Sequence, residues 1–223
     1  MDGWTLVGAR MVELHALEHG RAMHRLSADA DALGNARLRP NPVRRLAEVL
    51  VSDSFEIRAD GMEGIGHAFV RGRVEIDVLA PERLGARSQK ARTTVPPLHT
   101  VEVPGGTQAL DRTRRVPVRL GDEIGELPRP DLLGAILIKA RAVDIDDVPD
   151  AQRQDLALLL SLAVERQELN ASISAAERTW LRARDELDDP EHPAWARLTG
   201  DERSDGLATF RLLAGSSPVD DRR

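Results

Sequence analysis

The distribution of apolar residues changes character once along the chain, near Pro130. Before that point they come in short runs broken by glycine, proline and aspartate. Beyond it they recur at helical spacing. Short alternating runs signal strands and 3.6-residue stripes signal helices. Strands gathered in one part and helices in the next predict an α+β fold, not a regular βαβ alternation. The reading is a mixed β-sheet with flanking helices over residues 1–128, a helical region over 129–215, and a disordered tail at 216–223.

The predicted elements follow local signals. Residues 4–9 read as a buried strand ending in a turn at Gly8-Ala9, and 9–23 as a helix stopped near Gly20. Residues 26–33 alternate like a strand. Pro40-Asn41-Pro42 opens a second helix at about 42–51. Strands are expected at 55–58, 67–70 and 73–79; in the last, Val74, Ile76 and Val78 alternate with Arg73, Glu75 and Asp77, as one half-buried strand should. Val101–Val103 reads as a short strand, Pro104-Gly105-Gly106 as a turn, and 116–120 as an edge segment containing Pro117. Gly125 to Pro130 reads as the boundary. Helices follow near 131–143, 151–166, 172–187 and 203–214.

Composition narrows the function classes. The 223 residues include no cysteine, which excludes disulfides, thiolate metal sites and cysteine nucleophiles. No segment reaches the roughly 18 apolar residues that span a bilayer. Met1-Asp2-Gly3-Trp4 lacks the basic start of a signal peptide. A cytoplasmic protein with no membrane partner is therefore expected. The formal charge is −6, so any nucleic-acid contact must rest on a local patch. The candidate patch is the polar loop 82–97 with Arg83, Arg87, Lys90 and Arg92. Aromatics are 3% and tyrosine is absent, which argues against stacking platforms for single strands.

The residues that point to chemistry are acidic. Asp29 and Asp31 stand two apart, so on a strand both leave one face. Two carboxylates that close disfavour joint ionisation, and a shared divalent cation removes the conflict. Oxygen ligands suit Mg²⁺ or Mn²⁺. Asp77 lies on the polar face of a later strand and converges with them if the strands pair. Gly8-Ala9 puts small residues between a strand and a helix, where backbone can approach a ligand and helix amides can take a phosphate. No Gly-x-Gly-x-x-Gly pattern or Walker lysine is present. Taken alone, an Asp-x-Asp pair is also an ordinary solvated strand face.

In order along the chain, Leu6-Val7-Gly8-Ala9, a helix, and Arg25-Leu26-Ser27-Ala28-Asp29-Ala30-Asp31 resemble the signature of AbiEii/MenT-type nucleotidyltransferases, members of the DNA polymerase β-like nucleotidyltransferase superfold. The resemblance continues through Val74–Leu79 and Pro104-Gly105-Gly106-Thr107 to the helices holding Lys139 and Asp155. It covers roughly residues 4 to 200. It implies a nucleotidyltransferase-like sheet with a helical C-terminal half. It also implies that Gly8, Ala9, Arg25, Ser27 and Lys139 bind nucleotide, that Asp29, Asp31 and Asp77 hold metal, and that Lys139 and Asp155 join the catalytic set. Three departures stand out. Ala9 sits where relatives have glycine or serine, Ala151-Gln152-Arg153-Gln154 replaces a Lys-His pair before Asp155, and no helix precedes the first strand.

Lys139 is also unusual on its own terms. It falls on the apolar stripe Leu132, Ala135, Ile136, Val143, a core-facing slot. A buried ammonium needs a partner; either it snorkels or it reaches into an anionic cleft. Asp155, opening an apolar run, is equally explained by the helix dipole. Other candidates carry less. His15 and His19 stand at i,i+4, but no His-Glu-x-x-His pattern is completed and His24 adds nothing to it. No Gly-x-Ser-x-Gly elbow exists. Trp180 and Trp195 read as packing residues, and Arg178, Arg182 and Arg184 as a solvated face paired with Glu177 and Asp185.

Three functions remain open from the sequence. The first is nucleotide transfer from an NTP to RNA, with tRNA and a cognate antitoxin protein as the partners that the resemblance implies. The second is the same transfer to a small-molecule or protein hydroxyl. The third is a degenerate nucleotidyltransferase-fold binding module.

Overall fold

A computed structural model describes residues 2–21, 29–60, 64–84 and 92–215. The chain is α+β. It divides into two compact units: Met1–Val12 with Arg25–Gly134, and Glu13–His24 with Ala135–Arg223.

The first unit is built on a mixed sheet. Its strands are β1 (Trp4–Val7), β2 (Asp29–Gly34), β3 (Glu56–Asp60), β4 (Ile65–Arg71), β5 (Val74–Pro81) and β6 (Glu102–Val103). Their order is β1-β2-β5-β4-β3, with β6 added beside the end of β5. β1 runs antiparallel to β2, β2 parallel to β5, and β5-β4-β3 form an antiparallel meander. The helices are α1 (Gly8–Glu18), which leaves β1 directly and runs on into the second unit, α2 (Pro42–Ser52) and α3 (Gly106–Asp111).

α2 covers one face of the sheet. Asn41 caps it, accepting the Val43 amide, and Pro42 begins it, since a missing N–H costs nothing in a first turn. Val43, Leu46 and Ala47 pack with Ala32, Phe69, Val78 and Ala80, and Ile76 joins the edge of this core. The larger of these, Val43, Leu46, Phe69 and Val78, each contribute roughly 1.5–3 kcal/mol when taken from water. Alternation then fixes the opposite face of β5 as Glu75, Asp77 and Leu79.

Two elements differ from the sequence reading. Gly106, read as the last residue of a turn, opens helix α3 (Gly106–Asp111). Gly125 to Pro130, read as the boundary, is itself regular structure: it lies within β8 (Glu123–Pro130), which pairs with β7 (Thr113–Leu120) in a hairpin. The two-residue turn Gly121-Asp122 closes it, with Gly121 at φ 61° as such turns demand. The prolines survive because a two-stranded ribbon is all edge.

The second unit is helical. It contains most of α4 (Leu132–Ala142), then α5 (Pro149–Ser161), α6 (Arg166–Ser172), α7 (Ala175–Arg182) and α8 (Gly200–Ala214), with single 3-10 turns at Asp185–Asp188 and Pro193–Trp195. Residues 133–140 of α4 are all buried, so it is a core helix rather than an amphipathic one. The helix expected at 172–187 is broken after Ser172, because Ser174 and Glu177 form a capping box that starts α7. Trp195 is fully buried and donates its indole N–H to the Leu187 carbonyl at 3.3 Å. Arg178 and Arg182 are not a face paired with Glu177 and Asp185. They donate to the Leu212, Leu213 and Ala214 carbonyls and so satisfy the C-terminal end of α8. Among the described residues no helix is long and apolar enough to cross a membrane.

Candidate functional site

The face of the sheet opposite α2 gathers the acidic residues. Asp29 and Asp31 share one face of β2. The parallel register places Asp29 beside Glu75 and Asp31 beside Asp77, and neighbouring strands lie about 4.8 Å apart. On the other side of β2, Val7 stands level with Asp31. The next residue, Gly8, begins α1 at φ 65°. A Cβ on Gly8 would stand 2.7 Å from Asp31 Cγ and closer still to its oxygen. The sequence suggests that a ligand is what comes close to this glycine. In the structure it is the Asp31 carboxylate that does so.

Glycine at position 8 is therefore required twice, by φ and by space. Gly8→Ala is expected to cost about 1–2 kcal/mol for the left-handed backbone alone, and more for displacing Asp31. Adding Asp31→Ala in the same chain should recover the second part and leave the first. A urea-denaturation cycle over the four proteins measures both, and strictly additive costs would mean that the carboxylate does not press on Gly8.

The charges on this face are unequal in their surroundings. Glu75 is gripped by Arg58, which reaches it across the small Ala68 of the intervening strand; one of the two contacts is 2.9 Å. Asp77 Oδ1 is buried and has no hydrogen-bond partner among the described residues. Burial pushes the Asp77 carboxyl above the usual aspartate range. The charges of Glu75 and Asp29 push the same way, while His67 and Arg58 oppose. The sign for stability follows. The neutral form is favoured in the fold, so the contribution is complete below the ordinary aspartate pKa and is lost as pH rises through the raised one. With metal chelated, Asp77→Asn should melt above the parent at pH 7. The gap should close as pH falls below the aspartate range, and a constant gap across pH would contradict the burial argument.

The donor chemistry of this face fits a divalent cation: carboxylate oxygens, one of them orphaned, on adjacent strands. As the side chains stand, however, no group of three or more His, Asp or Glu among the described residues could hold a metal ion. Ala9 is buried, so its methyl belongs to the core and only its backbone is available to a ligand. Arg25 and Ser27 lie outside the described residues, as do His24, Arg87 and Lys90 of the basic loop and the tail 216–223.

Lys139 and Asp155 meet in the second unit. They are 2% and 4% exposed, and Lys139 Nζ donates to Asp155 Oδ2 at 2.8 Å and to Gln152 Oε1 at 2.8 Å. Gln152 in turn donates to Asp146 at 2.5 Å. Lys139 therefore does not snorkel, and Asp155 is a mid-helix partner for it, not a dipole-stabilised residue of a first turn. His15 is buried and His19 donates Nδ1–H to the His15 carbonyl at 2.8 Å, a packing arrangement.

The sequence reading missed Arg58 as the partner of Glu75 and Gln152 as a partner of Lys139. Glu75 itself was visible from the alternation it shares with Asp77. Nothing local announces Arg58, because its reach depends on the register of three strands. Comparison of the chain with protein-family models, with curated proteins and with solved structures returns no match.

Proposed function

We propose that the chain is a metal-dependent nucleotidyltransferase that moves a nucleotide from an NTP to an RNA acceptor, tRNA by the resemblance, as the toxin of a toxin–antitoxin pair. The observation that carries the reading is the position of Asp31, against Gly8 at the start of α1 and level with Asp77 on β5. A helix N-terminus attracts phosphate and crowded carboxylates attract a divalent cation. A nucleoside triphosphate with its metal needs both together. The order of these parts along the chain supports the DNA polymerase β-like superfold.

Asp29, Asp31 and Asp77 would hold Mg²⁺ or Mn²⁺, which when bound polarises the attacking hydroxyl and neutralises the departing pyrophosphate. The amides opening α1 would take triphosphate oxygens, with Ala9 offering its N–H but no hydroxyl. The acceptor oxygen bonds to the α-phosphorus, the bond to the bridging oxygen breaks and pyrophosphate leaves. Such a displacement asks the protein mainly for positioning. Arg25, Ser27, Lys139 and Asp155 enter this reading through the resemblance alone.

The net charge of −6 favours a second acceptor class, a small-molecule or protein hydroxyl. Ala9 and the absent Lys-His pair favour a degenerate binding module. Incubating the protein with Mg²⁺, each labelled NTP and total tRNA separates the three. Labelled RNA is the expected result. Label on a small hydroxyl compound or on protein moves the acceptor class, and no transfer to any acceptor rejects the enzyme.

A further inference from the structure

We infer that the β7–β8 hairpin is the surface through which two copies of this chain associate, the Val116–Leu120 face of one laid head to tail on the same face of the other. The inference lies within the first unit and does not depend on the acidic face of the main sheet.

The register sets Arg114, Val116, Val118 and Leu120 on one face of β7, with Gly125 and Glu123 of β8 beside the last two. Leu120 is 81% exposed, and Val116 and Val118 are half-buried. A Cβ on Gly125 would meet nothing within 4 Å, so the face is open at its centre. Glycine inside a strand weakens it, and one use of such a position is to let another chain come close. The apolar row of β7 thus stands beside a groove floored by Gly125, a shape that the same row of a second copy fills.

The edges of the ribbon are poor ground for another strand. With a two-residue turn, the flanking pair Leu120 and Glu123 is hydrogen-bonded, and bonded pairs alternate from there. Pro117, Pro128 and Pro130 all fall where the backbone points outward, and they remove N–H groups from both edges. The ribbon is not a basic arm for phosphate either, since exposed Arg114, Arg115 and Arg119 are matched by exposed Asp122, Glu123 and Glu126. What it offers is an apolar face.

Charge chooses the occupant of that face. Its exposed charges are Arg114 at the root and Glu123 beside the tip. Six residue steps, about 20 Å, separate them, too far to pair within one chain. On the opposite face Arg115 is already held by Asp2 and Glu126. A two-fold axis through the centre sets Arg114 of each copy over Glu123 of the other, two ion pairs flanking an apolar middle. Such a self-complementary patch is what an isologous dimer uses. The face is about 20 Å long and about 10 Å wide, well under the roughly 800 Å² per partner of a stable interface. The association is therefore reversible, with a Kd on the order of 10–100 µM.

Sedimentation equilibrium of the full chain in low salt, at concentrations on both sides of that Kd, tests this. A reversible monomer–dimer equilibrium is expected. Position 120 is exposed, so Leu120→Lys should keep the far-UV CD spectrum and weaken dimerisation on the order of 10-fold or more. Arg114→Glu and Glu123→Arg each set like charges over one another and should each weaken it about 10-fold, less at high salt. Mixing those two variants restores both opposite-charge pairs, so a heterodimer should form about as tightly as the parent dimer. No effect within a single chain produces that recovery. A chain that stays monomeric overturns the proposal, whether or not the face takes another protein instead. A dimer indifferent to Leu120→Lys, or charge reversals that do not recover on mixing, overturns it equally.

Discussion

Lys139→Ala should destabilise the second unit by about 3–5 kcal/mol, the usual cost of leaving one member of a buried ion pair without the other. Lys139 and Asp155 are 3% and 5% exposed at their side chains and 2.8 Å apart. Truncation takes the ammonium away from a carboxylate that is itself only 4% exposed. For a chain of this size that corresponds to a fall in Tm on the order of 10 °C. The pair itself need not be a net gain. Lys139→Met with Asp155→Leu removes both charges and fills the same space, so it should recover most of the loss. The sequence alone suggests that Lys139→Ala would affect nucleotide use far more than folding. The buried partners add a folding cost to that expectation. Thermal melts of the single and double variants decide it, and a Lys139→Ala protein that melts with the parent would show the pair to be dispensable.

What could be read from the sequence was what local spacing encodes. The alternation of Val74, Ile76 and Val78 places Asp77 on the polar face of β5, and the two-residue spacing of Asp29 and Asp31 places both on one face of β2. That Asp31 lies beside Asp77 is different. It depends on a parallel pairing of strands separated by α2, β3 and β4, and register of that kind is set by the packing of the whole sheet. The Lys139–Asp155 pair is hidden for a similar reason, since it arises only when α4 and α5 pack. Two further elements do carry local signals. The Ser174-x-x-Glu177 capping box marks the start of α7. The Gly121-Asp122 turn between Leu120 and Glu123 signals a hairpin, yet Gly125 to Pro130 reads as a boundary because helical spacing begins just beyond it.

Asp29→Ala and Asp31→Ala are each expected to lower nucleotide transfer by about 10²-fold or more, the cost of removing one preorganised electrostatic contributor to a transition state. The reason lies in where the charge sits. Asp31 is level with Asp77 and pressed against the first residue of α1; Asp29, on the same face, is close enough for its charge to raise the Asp77 carboxyl. Losing either leaves fewer oxygens for a divalent cation and changes nothing in the α2 core, which is on the other face. The fold should therefore persist, with an unchanged far-UV CD spectrum. Binding gives a second readout that is independent of turnover. Mg²⁺ or Mn²⁺ should raise the Tm of the parent by mass action and should raise that of either variant less. Asp31→Asn refines the test, because it keeps the shape beside Gly8 while removing the charge. Transfer that survives in Asp31→Asn but not in Asp31→Ala would assign Asp31 to holding Gly8 and the start of α1, not to metal. Transfer that survives in all three variants would remove the carboxylates from the chemistry altogether.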